Sequence, residues 1–374
     1  MKKLILIVAA LALVCLLALF YLPDIQMDVP RDPTDPEATT TAGADPETTV
    51  STAPTVPTTQ APIPDGWLEE NGNRYYYLDG QRVTGWQEVE GLNRYFLADG
   101  SLAHGFQDVD GSRYLLDAEG CMLTGWQDVE NKRYFLGEDG VLFTGWLQQE
   151  DVLYYLKEDG TMARGCVEIE GVNAYFTSTG AYILVLNPWS FLPEGYEPDL
   201  VELSSSYATS GNKVDRSCYD SLIAMMKACN KEEPGVCVLS GYRSVEKQTR
   251  LFNKQVQRNL NKGYSQEEAE RLAAQVVAVP GTSEHHSGLA VDIIDTRLWA
   301  LEEEQEDLPA QKWLMEHCWE YGFILRYPKD KIEVTGIIYE PWHYRYVGKE
   351  LAKELHDLGL TLEEYMTMLT EQEA

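Results

Sequence analysis

Hydrophobic and polar residues alternate in a fixed rhythm through the middle of the chain. A glycine followed by an aromatic or apolar residue returns every 19 or 20 residues between Gly66 and Cys166. Four of the five intervals contain an aromatic pair such as Tyr95-Phe96, the other contains Tyr114-Leu115, and all five contain an acidic residue followed by glycine. Two short strands joined by a glycine-containing turn form a β-hairpin, and a fixed short period indicates hairpins that stack on their neighbours. The pattern predicts a β-hairpin solenoid over residues 65–182.

Beyond about Asn187 this rhythm stops, and segments of helix and strand character follow. Apolar residues on one side of 219–231 predict a helix, the apolar run 235–239 predicts a buried strand, and Ser265 with Glu268 indicates a capped helix start. Further strands are predicted at 289–294 and 337–346, and further helices at 309–321, 349–358 and 362–369, with another ending at Leu260. Because these elements lack a regular βαβ order, we expect an α+β domain over residues 190–374.

The first 64 residues carry two other patterns. Two lysines precede an uncharged apolar run from Leu4 to Leu22, which is long enough to cross a bilayer with the N-terminus inside. No clear small-residue cleavage site follows, so residues 1–23 are predicted to be an uncleaved transmembrane anchor rather than a cleaved signal peptide. Residues 24–64, rich in Pro, Thr, Asp, Glu and Ala, are predicted to be a disordered spacer.

The charge balance narrows the choice of partners. The chain has 60 Asp and Glu against 30 Lys and Arg, a formal charge of -30. Phosphate contacts need Lys and Arg, so we expect no nucleic-acid partner. The acidity is otherwise typical of a surface that favours solubility.

Two short segments concentrate the residues that could carry chemistry. Three of the six histidines lie within 283–292 and 340–343. His285, Asp292 and His343 offer two nitrogens and one carboxylate, a set suited to a zinc site that leaves one position for water. Glu340, three residues before a candidate ligand, is placed to act as a general base.

These segments resemble a known family. Residues 283–292 fit the pattern S-x-H-x-x-G-x-A-x-D, residues 340–348 resemble E-P-W-H-x-R-Y-V-G, and residues 240–248 resemble S-G-Y-R-S-x-x-x-Q. These are blocks of the VanY-type zinc D-alanyl-D-alanine carboxypeptidases and their L,D-carboxypeptidase relatives. The resemblance spans roughly residues 195–355 and implies a zinc peptidase fold of the D-Ala-D-Ala carboxypeptidase type.

The resemblance also implies roles for single residues. It implies that the three candidate ligands bind one zinc ion, and that Glu340 acts as general base and then general acid towards a zinc-activated water. Arg243 is expected to hold the oxyanion or the C-terminal carboxylate of the substrate, because a guanidinium matches a carboxylate and stays charged. Ser283 and Gln248 are expected to hydrogen-bond the peptide, whereas His286 is not expected to be a ligand.

The repeats resemble cell-wall-binding repeats of the choline-binding and glucan-binding type, which hold ligands in aromatic pockets between neighbouring hairpins. The Trp that commonly precedes the aromatic pair is replaced, in four copies by Arg, and this removes one wall of the cage that a quaternary ammonium needs. We expect the repeats to bind a wall polysaccharide or teichoic acid; alternatively, the rings only pack the hairpins together. The candidate wall-ligand residues are Trp86, Tyr95, Trp126, Tyr134, Trp146 and Tyr154.

Together these features predict an extracellular, single-pass membrane enzyme at the cell wall of a Gram-positive-type bacterium. It would remove the C-terminal D-alanine from peptidoglycan stem peptides, with pentapeptide and tetrapeptide both open. Two alternatives remain: an endopeptidase or D-Ala-D-Ala dipeptidase on the same scaffold, and a non-catalytic wall-binding adhesin. The complete candidate site, with Glu340 present, favours the enzyme.

Overall fold

The computed structural model of the chain describes residues 64–150 and 152–372. The predicted anchor over residues 1–23 lies outside these ranges, as does all of the predicted spacer before Pro64. In the described ranges, no helix has both the length and the apolar character needed to cross a membrane. The architecture below is that of the compact unit formed by residues 66–76 and 82–374.

The repeat region consists of short antiparallel hairpins. In a typical hairpin two five-residue strands pair, and the glycine that begins the first strand lies opposite the last residue of the second, as Gly85 lies opposite Phe96. The strands are β1 (Gly66–Glu70), β2 (Asn73–Leu78), β3 (Gln81–Arg82), β4 (Gly85–Val89), β5 (Leu92–Phe96), β6 (Gly105–Val109), β7 (Ser112–Leu116), β8 (Gly125–Val129), β9 (Lys132–Leu136), β10 (Gly145–Gln149), β11 (Val152–Leu156), β12 (Gly165–Ile169) and β13 (Val172–Phe176). From β4 to β13, consecutive strands form five hairpins.

Consecutive hairpins stack through backbone hydrogen bonds and ring contacts. The Leu102 amide donates to the Arg74 carbonyl at 2.8 Å, and equivalent bonds recur along the region. Trp126 contacts Phe135 of its own hairpin and Tyr154 of the next, with ring centroids 5.2 and 5.0 Å apart. Such edge-to-face pairs stabilise beyond the area that they bury. The predicted stack of aromatic β-hairpins is confirmed.

The remainder of the unit is built on a four-stranded antiparallel sheet with helices packed around it. Its strand order is β16 (Val236–Ser240), β17 (Ala290–Asp295), β19 (His343–Tyr346) and β18 (Phe323–Leu325), and a separate hairpin pairs β14 (Leu200–Glu202) with β15 (Lys213–Asp215). The helices are α1 (Arg216–Glu232), α2 (Val245–Asn261), α3 (Gln266–Ala274), α4 (Pro309–His317), α5 (Ile332–Thr335), α6 (Lys349–Leu358) and α7 (Leu362–Gln372). The predicted α+β class is confirmed.

Side-chain alternation along β17 divides this sheet into an apolar face and a polar face. Val291 and Ile293 are fully buried in the main hydrophobic core, with Leu222 of α1 and Leu314 of α4. Asp292 lies between Val291 and Ile293 in the strand, so its side chain points to the opposite face. The apolar face anchors the sheet to the helices, and the polar face is left for chemistry.

Helix boundaries differ from the predicted ones for local reasons. Helix α1 begins three residues early because Asp215 caps it, accepting a hydrogen bond from the Ser217 amide at 3.0 Å. The predicted helix over 309–321 is α-helical only to His317, and continues as a 3-10 turn that ends at Gly322, where φ is 82°. Ser265 caps α3 as predicted, accepting from the Glu268 amide.

The strand prediction over 337–346 is correct only for its last four residues. Pro341 has no amide proton to give to a neighbouring strand, and the amide of Glu340 donates instead to the carbonyl of Tyr327 at 3.1 Å. Strands β14, β15 and β18 were not predicted, because each has only three residues. Such short segments show too little alternation to be read as strands.

The end of the repeat region packs directly on the C-terminal helices. Ile183 and Val185 share a hydrophobic cluster with Leu355 of α6 and Tyr365 of α7. Nearby, the Asn187 side chain donates to Glu363 Oε1 at 3.2 Å. The chain after the last hairpin is therefore part of the folded core around the sheet.

A pair of glycine variants tests the packing between hairpins. Gly160 has φ +82° and its Cβ would lie 2.5 Å from Leu142 Cδ2, whereas Gly171 has φ +81° with nothing within 4 Å of its Cβ. Alanine at either position adds the strain of positive φ, about 1–2 kcal/mol. Only Gly160→Ala adds overpacking, about 1–3 kcal/mol more. We therefore expect Gly160→Ala to lower the free energy of unfolding more than Gly171→Ala in urea titrations; equal losses would contradict the stacked geometry.

Candidate metal centre

Strand pairing brings the predicted ligands together on the polar face of the sheet. Asp292 of β17 lies directly opposite His343 of β19, and a bulge in β16 places Ser240 opposite Asp292 on the other side. His285 enters from a 3-10 turn just before β17, which ends at Gly288 with φ 75°. A Cβ on Gly288 would lie 2.9 Å from the backbone nitrogen of Asp215, so the turn needs glycine here. The turn and the register together assemble the site.

The three ligand side chains form a tight, buried cluster. Asp292 Oδ2 is 3.3 Å from His285 Nε2, Asp292 Oδ1 is 3.2 Å from His343 Nδ1, and each of the three residues has a ligand atom within 4.8 Å of the others. Two ligands bound to one tetrahedral zinc at about 2.0–2.2 Å are roughly 3.3 Å apart. Among the described residues, buried Asp292 Oδ1 has no hydrogen-bond partner, as expected of an atom that binds a cation. The donor set and its spacing fit zinc.

Hydrogen bonds decide which imidazole nitrogens are available. His285 Nδ1 donates to the Gly241 carbonyl at 2.8 Å, so its proton is there and the Nε2 lone pair faces Asp292. His286 instead donates from Nδ1 to the Arg243 carbonyl at 2.6 Å and accepts the Gly281 amide on Nε2 at 3.2 Å. Both of its nitrogens are occupied by these bonds, and its exclusion from the ligand set stays a prediction.

Glu340 lies beside the cluster without belonging to it. Its Oε2 is 3.5 Å from His343 Nδ1, and the residue is 9% exposed. Burial raises the pKa of Glu340 to about 8, with the nearby Asp292 carboxylate adding to the effect and His343 and Arg243 opposing it. A carboxylate whose pKa lies near neutrality can both take and return a proton.

The Arg243 guanidinium also borders the cluster. Its Nη2 lies 3.4 Å from Asp292 Oδ2 and donates to Ser240 Oγ at 3.0 Å, while Nη1 donates to Gln248 Oε1 at 2.9 Å. Gln248 is fully buried, and its Nε2 donates to the Ala278 carbonyl at 2.6 Å. This geometry uses the Gln248 amide to orient Arg243; a direct bond from Gln248 to a peptide stays a prediction.

Ser283 lies at the start of the 3-10 turn and is 4% exposed. Its carbonyl accepts the His286 amide at 3.0 Å, which shapes the turn. Its predicted contact with a peptide stays a prediction.

Sequence reasoning missed a buried charge network behind the ligands. Glu284 Oε1 accepts from Arg326 Nε and from Arg345 Nη1, each at 2.8 Å. Arg326 also donates to Glu363 of α7. One indication of Glu284 is present in the sequence: it lies inside the pattern S-x-H-x-x-G-x-A-x-D, but at a position where the pattern allows any residue. Arg326 follows a strand too short to be predicted and had no local signal.

The six candidate wall-ligand residues lie half-buried in ring clusters between hairpins. Trp86 contacts Tyr95 of its own hairpin and Tyr114 of the next, with centroids 5.1 and 4.8 Å apart. The guanidinium of Arg133 lies 5.0 Å from the ring centroid of Trp126, so a cation of the protein itself occupies that aromatic face. Their role in binding a wall polymer stays a prediction.

Comparisons with known proteins agree with this division of the chain. A family model described as D-alanyl-D-alanine carboxypeptidase matches residues 211–349, and one described as choline-binding repeat matches residues 123–165. The chain is 39% identical over 184 residues to a D-alanyl-D-alanine carboxypeptidase of Enterococcus faecalis, covering 49% of this chain and 65% of that protein.

Two further relatives show the extent of the match. The chain is 37% identical over 147 residues to a bifunctional D-Ala-D-Ala dipeptidase and D-Ala-D-Ala carboxypeptidase of Enterococcus gallinarum, covering 37% of this chain and 70% of that protein. A solved vancomycin-resistance D,D-pentapeptidase in complex with Zn(II) is 39% identical, with a TM-score of 0.44, covering 49% of this chain and 97% of that one. The chain spans 65% and 66% of the first two curated relatives that it matches.

Neighbouring histidines provide a matched test of the metal site. His285 is in the cluster, while His286 is equally buried with both nitrogens bonded elsewhere. Loss of a group behind a ligand typically weakens metal binding by about 10–100-fold, so loss of a ligand should cost more than this. We expect His285→Ala to weaken zinc binding by roughly 100-fold or more and His286→Ala to leave it near wild type, measured by competition with a chromophoric chelator. Equal affinities for the two variants would exclude this ligand set.

Proposed function

The chain belongs to the D-alanyl-D-alanine carboxypeptidase family, and we propose that it is a zinc-dependent carboxypeptidase that removes the C-terminal D-alanine from peptidoglycan stem peptides. The observation that carries the proposal is the buried cluster of His285, Asp292 and His343 with Glu340 beside it. A non-catalytic adhesin would have no need to keep a buried carboxylate within 3.5 Å of a metal ligand. The family and the site therefore support the same activity.

The three clustered side chains would hold one zinc ion. When bound, zinc supplies a water of lowered pKa and a Lewis acid for the scissile carbonyl. The protein's own contribution is to orient the two imidazoles. The bond from His285 to the Gly241 carbonyl does this for one of them.

Glu340 would move the proton. Its Oε2 lies 3.5 Å from His343 Nδ1, and the side chain is shielded from solvent. As a carboxylate it would accept the proton that the attacking water loses as the new C–O bond forms. It would then donate that proton to the nitrogen of D-alanine as the C–N bond breaks, so no covalent enzyme intermediate is needed.

Arg243 would hold negative charge on the substrate. Two of its nitrogens are fixed by Ser240 and Gln248, and in the described part of the chain its buried Nε has no hydrogen-bond partner. A guanidinium fixed in this way suits either a developing oxyanion or the terminal carboxylate of the peptide. A terminal carboxylate bound here would favour cleavage of the last residue over an internal bond.

Exchange of one carboxylate for an amide tests the chemistry. Glu340→Gln keeps the shape of the side chain but cannot accept the proton, so we expect kcat to fall by roughly 10²–10⁴-fold with zinc content unchanged. The assay follows stem pentapeptide and tetrapeptide by mass, with and without a chelator. Full activity of the variant would exclude this mechanism.

The products of that assay also separate the alternatives. Loss of one alanine supports the carboxypeptidase, and the preferred peptide distinguishes D,D from L,D cleavage. Release of a dipeptide or an internal cut would favour a dipeptidase or an endopeptidase on this scaffold. Bound zinc without cleavage of either peptide would favour the wall-binding alternative.

We also propose an extracellular location at the cell wall, with residues 1–23 as a membrane anchor, 24–64 as a spacer and the repeats as a wall-binding stack. The apolar run and the two lysines before it support the anchor. The half-buried ring clusters between hairpins support binding of a wall polysaccharide or teichoic acid. Protection of the C-terminal domain from protease added to intact cells would contradict this location.

Tryptophan variants test the repeats. Trp86 belongs to a half-buried inter-hairpin cluster, while Trp299 is 62% exposed and lies outside the repeats. We expect Trp86→Ala to weaken sedimentation of the full chain with purified cell walls several-fold, since ring stacking is lost, and Trp299→Ala to leave it unchanged. Unfolding midpoints of both variants are measured alongside. A folded Trp86→Ala variant that binds walls normally would favour a packing role for these rings.

A further inference from the structure

We propose that Glu284 is a positioning residue for His343: its Oε2 accepts the proton on His343 Nε2 and thereby presents the Nδ1 lone pair to the metal. This inference rests on the proposed zinc site. It adds to that site a residue that does not touch the metal position.

The geometry pairs two atoms that otherwise lack partners. Glu284 Oε2 lies 3.5 Å from His343 Nε2, and both atoms are buried without a hydrogen-bond partner in the described part of the chain. The other ring nitrogen, Nδ1, lies 3.2 Å from Asp292 Oδ1 inside the ligand cluster. An imidazole that offers a lone pair on Nδ1 must carry its proton on Nε2. Glu284 Oε2, 3.5 Å away, is placed to accept a hydrogen bond from that nitrogen.

Two arginines fix which oxygen of Glu284 faces the histidine. Arg326 Nε and Arg345 Nη1 both donate to Oε1 at 2.8 Å, which leaves Oε2 for His343. The two guanidiniums also compensate the charge of this fully buried carboxylate. The residue is therefore an oriented anion that can only accept.

Both arginines are in turn held from outside the site. Arg326 makes two hydrogen bonds to Glu363 of α7, and Arg345 Nη2 donates to the Leu184 carbonyl at 2.6 Å, in the segment after the last hairpin. The position of Glu284 is thus determined by packing at two separate places. Neither solubility nor a single ion pair would require a carboxylate held by two arginines that are themselves held in place by other residues.

An anionic acceptor behind a histidine ligand strengthens metal binding in two ways. It selects the correct tautomer and ring orientation, and it raises the basicity of the nitrogen that faces the metal. Removing such partners typically weakens metal affinity or activity by about 10–100-fold. The effect should therefore appear in zinc affinity itself, before any peptide is added.

Glu284→Gln is the direct test in the full chain. The Gln carbonyl can still accept from both arginines, and its amide group then presents N–H to the N–H of His343. We expect the zinc dissociation constant to rise about 10–100-fold at fixed pH, measured by chelator competition. Glu363→Gln is the matched control, because it weakens the same buried network at Arg326 without facing His343. It should lower the unfolding midpoint but weaken zinc binding less than Glu284→Gln does, because Arg345 still donates to Glu284 Oε1.

The outcomes are distinct. A folded Glu284→Gln variant with wild-type zinc affinity, or a Glu363→Gln variant that weakens zinc equally, would overturn the positioning role. If Glu284→Gln does not fold, ¹⁵N NMR of the zinc-loaded wild type decides, since the proposal requires the proton of His343 on Nε2. A proton on Nδ1 would overturn it. Zinc affinity that depends on Glu284 in a protein that cleaves no stem peptide would leave this inference standing and reject only the proposed function.

Discussion

Asp292 is a buried carboxylate in the centre of the sheet, on the face opposite the hydrophobic core. Its burial costs free energy, and the neighbouring side chains of the site offset that cost. Val291 and Ile293 tie β17 to the helices, which fixes Asp292 on the opposite face at 2% exposure. An isolated buried charge is expensive unless it is paired or coordinates a metal. His285 and His343 on either side, with Arg243 beyond, supply that compensation. The pKa of Asp292 is held well below its usual range because its contacts with His285 and His343 outweigh the burial that opposes ionisation.

A second buried carboxylate, Glu284 behind His343, is also compensated by neighbouring charges. Arg326 and Arg345 are among the most deeply buried side chains of the described chain, and Glu284 lies between them. Removing one member of a buried ion pair leaves an uncompensated charge and is strongly destabilising. Through Glu363 and the Leu184 carbonyl, this network reaches α7 and the chain after the last hairpin. The ligand geometry therefore depends on elements that have no chemistry of their own.

The parts that sequence could predict are those with local or periodic signals. The hairpin repeat follows from its spacing, and the ligands and Glu340 lie in two short segments whose residue types fit one chemistry. The position of Asp292 opposite His343 depends on pairing of strands fifty residues apart, which local pattern cannot specify. The bulge that brings Ser240 into the site, and the burial of Gln248 behind Arg243, are likewise consequences of tertiary packing. Glu284 lies inside the matched pattern, but its role could not be predicted for the same reason, since its partners Arg326 and Arg345 are distant in sequence.

The repeats raise a separate physical question, because the chain is strongly acidic and many wall polymers are anionic. Coulomb forces over the whole molecule then oppose association, so stacking and hydrogen bonds have to provide the affinity. The ring clusters are not equivalent in this respect. Arg133 already covers Trp126, whereas Arg94, the corresponding residue of the Trp86 hairpin, lies over the ring of Trp67 at 5.3 Å and donates to the Val89 carbonyl. Among the described repeats, the face of Trp86 is therefore less occupied by the protein's own cations than that of Trp126.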